Sequence, residues 1–248
     1  ADLRRDLAFG VALALAAIVG RARADDDIVA DRPGFGESAN VVASRHLQVE
    51  AGATWTRTDR IDRLFDAPRP LVRFGLGHSL ELRLEPPDWL HARDAGVTAS
   101  GWADTMVGLK WHASLGTSDL ALRATLVLPT GSVGFTDERA DPSGAIAWSR
   151  TLSGPWSLGA TVSARHFRAY GTSSVSPSLS LGRALGERFG AFLEYGGGFS
   201  TATRPFHQLD TGCTWIPRPD TQLDLSVGFG LSPAAPHLFV GLGISRRF

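Results

Sequence analysis

Residues 71–85 read LVRFGLGHSLELRLE, and this stretch decides the fold. Val72, Phe74 and Leu76 alternate with Arg73 and Gly75. Gly77 and His78 break the run. Leu80, Leu82 and Leu84 then alternate with Glu81, Arg83 and Glu85. A strand sends successive side chains to opposite faces, so each arm has one aliphatic face and one charged face. Two such arms around a glycine-containing break form a tight hairpin. A soluble sheet turns its polar face to bulk water, where residue type matters little. Here that face carries dense, mixed charge beside an almost purely aliphatic one. A membrane barrel needs this contrast, with lipid outside and a wet lumen inside.

The same period runs through the chain. Strands are expected at residues 46–58, 71–76, 80–85, 102–112, 119–128, 144–152, 156–165, 174–185, 189–196, 208–216, 222–231 and 237–248. The strand at 174–185 fits least well, because Pro177 cannot donate to a ladder. Twelve is an even number, and the connections alternate in length. Long connections such as 58–70, 86–100 and 129–143 take turns with short ones, the asymmetry of extracellular loops and periplasmic turns. The expected fold is therefore all-β: an antiparallel transmembrane β-barrel of about 12 strands. Trp111, Trp148, Trp156, Phe189, Trp215 and Phe248 sit on apolar phases beside short turns or at the C-terminus, as an aromatic girdle would.

Composition agrees with this class. The chain has 248 residues, is 43% hydrophobic and contains 28 Gly. Its single Cys, Cys213, excludes an internal disulfide framework. Residues 1–24 have the marks of a secretory signal: Arg4 and Arg5, an apolar run from Leu7 to Val19, and the small-x-small triplet Ala22-Arg23-Ala24. Without that segment the chain keeps 21 basic and 23 acidic residues, a net charge of −2. No basic block points to nucleic acid. Residues 25–45 show neither helical nor strand period. They read as a periplasmic leader or as a plug folded into the barrel mouth, and residues 46–248 as the barrel.

The chain resembles the outer-membrane transporter family named for the MetA pathway of phenol degradation. The likeness is carried by DRPGFGES at 31–38, QVEAGATW at 48–55, LVRFGLGHSLELRL at 71–84 and VGLKW at 107–111. LPTGS at 128–132, FLEYGG at 192–197, QLDLSVGFGLS at 222–232 and the ending VGLGISRRF extend it. The resemblance implies a bacterial outer-membrane channel for small, often aromatic, compounds. The chain also looks like a substrate of the barrel assembly machinery, which favours a terminal aromatic; Phe248 fits, and Arg246 departs from the usual apolar residue.

Opposite the apolar phases lie Glu50, Arg73, Glu81, Arg83, Glu85, Lys110, Arg123, Glu194, Asp210, Gln222 and Asp224. These are the candidate lumen residues, because Arg or Lys facing lipid near the midplane costs about 2–4 kcal/mol. Barrels of eight strands are filled and those of sixteen are open, so twelve predicts a narrow pore crossed by acid–base pairs. The expected partners are outer-membrane lipid and a small solute, with no cofactor. Two other classes compete. A structural or adhesive barrel needs no solute path. A membrane-embedded hydrolase needs a Ser or Cys beside a base, and His112, in the lumen phase, has no nucleophile motif near it. His91, His166, His207 and His237 fall in or beside outer loops, where scattered His residues are ordinarily solvated, so no metal site is expected.

Overall fold

A computed structural model describes residues 27–59 and 61–248; the expected signal segment lies outside them. Fifteen strands form one sheet: β1 (Leu47–Arg57), β2 (Arg63–Ala67), β3 (Leu71–Gly75), β4 (Leu80–Glu85), β5 (Trp89–Asp94), β6 (Val97–Trp102), β7 (Thr105–Leu115), β8 (Ser118–Leu128), β9 (Asp141–Thr151), β10 (Trp156–Phe167), β11 (Thr172–Ala184), β12 (Phe189–Ser200), β13 (Phe206–Arg218), β14 (Thr221–Gly230) and β15 (Leu238–Arg247). Every pairing between them is antiparallel, and β15 returns to β1 from Gln48↔Arg247 to Arg57↔Leu238, which closes the barrel. Closure leaves every wall strand with two neighbours, the condition for crossing lipid without helices.

Fifteen segments make twelve barrel positions, because three positions are split. β1 pairs with β3 near its start and with β2 near its end, so β2 and β3 are two halves of one wall strand. β4 and β5 are halves of the next, and β6 and β7 of the third. Pro68, Pro70, Pro86 and Pro87 cause the first two splits, since none can donate to a ladder. The breaks are stitched across: Gly52 N–H donates to the Pro68 carbonyl at 2.6 Å, Arg69 N–H to Asp88 Oδ1 at 2.9 Å and Ala103 N–H to the Asp88 carbonyl at 2.8 Å.

This corrects the reading of 58–70 and 86–100 as loops. Residues 63–67 of the first and most of the second are strand, and the asymmetry between the ends appears as wall standing above the long-loop rim. At the other end, tight connections such as 116–117 and 219–220 make a flat rim. These are called the loop end and the turn end below. Pro177 stays within β11. It pairs with Val162 on the β10 side, while pairing with β12 lapses between Val175↔Phe199 and Ser178↔Gly196. The missing N–H thus falls where no ladder bond is made.

The outside is apolar. Leu82, Leu109, Leu122, Ile146, Leu193, Leu225 and Leu242 are all exposed there. The centre is polar, and the largest fully buried side chains include Arg73, Lys110, Gln48, Glu50 and Glu81. A soluble protein has the reverse distribution. At the turn end, Trp111, Trp156, Phe189, Trp215 and Phe248 are exposed on the outer face and Trp148 is half-buried. Phe189 and Trp215 stack with centroids 6.0 Å apart.

Candidate functional site: a partitioned lumen

Residues 28–45 enter the barrel from the turn end, rise to an apex and return. The Ile28 N–H meets the Pro219 carbonyl at 2.7 Å, on the turn before β14. The Val29 carbonyl accepts from Gln48 Nε2 and Arg73 Nη1. On the way back, Val42 N–H donates to Glu81 Oε2 at 2.8 Å and Ser44 bridges Gly75. Gly75 is required there, because a Cβ would collide with the Ala43 carbonyl.

One wall of the lumen, from β1, β3, β4, β7 and β8, holds an ion-pair network around this leader. Glu81 takes both Arg73 nitrogens, Nε at 3.0 Å and Nη2 at 2.9 Å, and also Arg83 Nη1 at 2.8 Å. Arg73 Nη1 reaches Glu50 at 3.0 Å. Leader Asp31 lies between Arg83 at 2.6 Å, Lys110 at 3.3 Å and Arg73 at 3.6 Å, and its own N–H donates to Glu50. Leader Glu37 takes Arg123 at 2.9 Å and Lys110 at 3.5 Å. Arg73, Arg83, Lys110 and Arg123 are thereby balanced by Glu50, Glu81, Asp31 and Glu37. Charges withdrawn from water are tolerable only when paired and hydrogen-bonded in this way.

The opposite wall is different. β9 to β13 present small residues inward, among them Ser149, Gly159, Thr161, Ser178, Ser180 and Gly182. Near the loop end Arg165 pairs with Asp141 at 3.3 Å, and the charged groups beside the leader are Glu194, Asp210 and, on the adjoining β14, Asp224. Glu194 accepts two successive leader amides, Phe35 N–H at 2.6 Å and Gly36 N–H at 2.9 Å. Asp224 meets Arg32 at 3.4 Å. Arg32 lies over Gly52 and Gly243, where a Cβ on either would collide with its guanidinium.

The apex partitions the remaining space. A cavity of about 470 Å³ opens on the turn-end side, along the small-residue wall. A second, of about 400 Å³, opens on the loop-end side among Thr54, Asp66, Arg69, Phe206 and Gln208. Both are bounded by Arg32, Pro33, Gly34 and Ser178, so the leader apex is the septum between them. Phe35 packs edge-on to Phe239, centroids 5.4 Å apart, on the loop-end side.

All eleven candidate lumen residues stand on the inner phase of their strands. Glu50, Arg73, Glu81, Arg83, Lys110, Glu194, Asp210, Gln222 and Asp224 are buried, and Glu85 and Arg123 are half-buried. The first wall gathers Glu50, Arg73, Glu81, Arg83, Lys110 and Arg123 into one network, whereas Glu194, Asp210 and Asp224 stand apart from it. Sequence reasoning missed Asp31, Arg32 and Glu37, which lie in a stretch without period, and Gln48, one alternation before Glu50. It also missed two loop anchors. Asp141 accepts Arg168 N–H, tying the connection after β10 to β9, and Asp104 accepts Gly131 N–H and Asp137 N–H, pinning residues 129–140 at the rim. In that loop burial pushes the Asp137 carboxyl up, with Arg165 opposing. His112 Nε2 meets Asp119 at 2.9 Å, not a Ser or Cys. His91, His166 and His207 each meet a neighbouring hydroxyl.

The family model described as "Putative MetA-pathway of phenol degradation" matches residues 30–248. No curated protein matches the chain. Among solved structures, the COG4313 outer membrane channel from Pseudomonas putida F1 superposes with a TM-score of 0.68 at 14% identity, over 88% of this chain and 100% of that one. The KdgM porin in complex with disordered oligogalacturonate gives 0.58 at 8% identity, over 81% and 99%. The NanC porin gives 0.56 at 7% identity, over 81% and 98%. At these identities the likeness is one of fold.

Proposed function

The chain belongs to the family of the MetA pathway of phenol degradation, and from that premise we propose that it is a bacterial outer-membrane channel for passive uptake of small solutes. The observation that carries this reading is the pair of cavities meeting at Arg32, Pro33, Gly34 and Ser178. A purely structural barrel has no need of facing vestibules separated by one turn of backbone. The path runs eccentrically, along the wall of Ser, Gly and Thr, because the opposite wall is closed by the ion-pair network. The leader apex is its constriction. Within the 25–45 leader, the described residues from 27 onward thus act as a plug, and 46–248 as the pore.

The family name and the residues at the septum both favour aromatic or hydrophobic solutes. Phe35, Phe206 and Phe239 face the loop-end vestibule, and Pro33, Pro177 and Pro236 add apolar surface. Aromatic faces in a mostly polar channel offer a solute ring stacking contacts worth about 0.5–1.5 kcal/mol each. No catalytic step is part of this reading, in which His112 is held by the Asp119 carboxylate. Short turns belong to the periplasmic end of outer-membrane barrels, which supports a reading with the turn end, and the girdle around Trp156 and Trp215, on the periplasmic side.

Swelling of liposomes containing the folded protein tests the proposal. Phenol-sized solutes should enter faster than into protein-free liposomes, and an oligosaccharide should not. Protein-dependent permeability that is absent for every small solute would overturn the channel reading.

A further inference from the structure

Asp210 is the anomaly of the lumen. It is only 1% exposed, and among the described residues neither carboxylate oxygen meets a hydrogen-bond donor from another residue. Its cross-strand partner is Glu194, a second carboxylate on the same inner face. Directly opposed residues on antiparallel strands have Cβ atoms about 5 Å apart. Like charges so placed repel, and the first wall solves this problem by interleaving Arg and Lys. Among the described residues no salt bridge joins a basic side chain to either acid. The nearest leader cation, Arg32, is committed to Asp224 and the Leu242 carbonyl.

Glu194 accepts the Phe35 and Gly36 amides, and its side-chain neighbours beside the leader apex are oxygens. Glu194 Oε1, Ser178 Oγ and Thr161 Oγ1 all come within 3.0 Å of the point where a Cβ on Gly36 would stand. Gly228 lets the Phe239 ring and the Cβ of Asp210 approach each other, so aromatic carbon backs the carboxylate on the loop-end side. An unpaired buried charge costs several kcal/mol, which a bound counter-ion offsets. Carboxylates and hydroxyls without nitrogen or sulfur suit hard cations.

We propose that Asp210 and Glu194 form a binding site for a hard divalent cation of the calcium type, seated in the septum beside the leader apex. Two carboxylates match its charge, and one of them, Glu194, lines the turn-end cavity. The cation would join β12, β13 and the leader apex, so that it tightens the constriction. The site depends on the described barrel and leader, not on the transport reading.

Isothermal calorimetry with calcium chloride on the folded full chain in detergent tests this. One saturable site per chain is expected. Asp210→Asn should weaken it at least tenfold while keeping the heat-modifiable gel mobility of a folded barrel. Asp59→Asn, an exposed loop acid, should leave it unchanged. Absence of saturable binding by the folded native chain overturns the proposal, as does Asp210→Asn binding calcium like the native chain. Proton uptake by the pair with no calcium heat, showing that the two acids share a proton instead, overturns it equally. Solute permeability retained by Asp210→Asn would separate the fate of this site from that of the channel.

Discussion

Arg73 and Arg83 stand directly opposite each other on neighbouring strands, a placement that ordinarily destabilises a sheet. Glu81 removes the penalty by accepting from both, and Asp31 lies within ion-pair reach of both. Removing one member of such a buried group costs about 3–5 kcal/mol, because the rest are left uncompensated. Arg73→Met should lower stability by that amount in urea unfolding followed by Trp fluorescence in micelles, whereas Arg57→Met, on the exposed rim, should change it little. The polar residues of 71–85 were legible because alternation assigns each to a face whatever its partner. Asp31 and Glu37 were not, since a segment ordered only by contact with the wall has no period of its own. Asp210 could be placed inward from the sequence, but its lack of a partner could not be foreseen, because leader Arg32 goes to Asp224.

Strands β2, β5 and β6 show where element reading fails and why. Alternation appears only where one face meets lipid. These segments rise beyond the proline breaks toward the loop end, where both faces meet water or loop residues, and Arg63, Asp66, His91 and Arg93 occupy them without an apolar stripe. Long connections were therefore inferred where the wall continues. The same argument makes a depth prediction. Leu82→Arg, on the outer face of β4 between Leu109 and Phe74, should cost about 2–4 kcal/mol, and Phe65→Arg, on the outer face of β2, only about 0–1 kcal/mol. Equilibrium unfolding in phosphatidylcholine vesicles reads both. Equal costs would mean that β2 lies as deep in the bilayer as β4. Pro177→Val belongs to this scale too: the lapse in pairing with β12 predicts little gain in stability from restoring the N–H.

Taken whole, the barrel divides its charge unevenly. The network on the β1–β8 side is neutral, while Glu194, Asp210 and Asp224 on the other wall face one basic leader residue, Arg32. An aqueous path beside that wall should favour cations, since charge lining a low-dielectric cleft concentrates ions of opposite sign. Reversal potentials across a potassium chloride gradient should show cation preference, reduced in Asp224→Asn. A barrel of this topology could be read from the sequence because lipid, loop rim and lumen each impose a pattern over the entire chain. The course of the leader could not, because its position follows from the assembled wall.

In the proposed channel the leader apex, held by Glu194, is the narrowest point of a continuous path. Single-channel conductance in planar bilayers tests it most directly, comparing the native chain with a variant lacking residues 32–37. Small conductance steps are expected for the native chain and distinctly larger ones for the variant. Identical steps in the two, both folded, would contradict it.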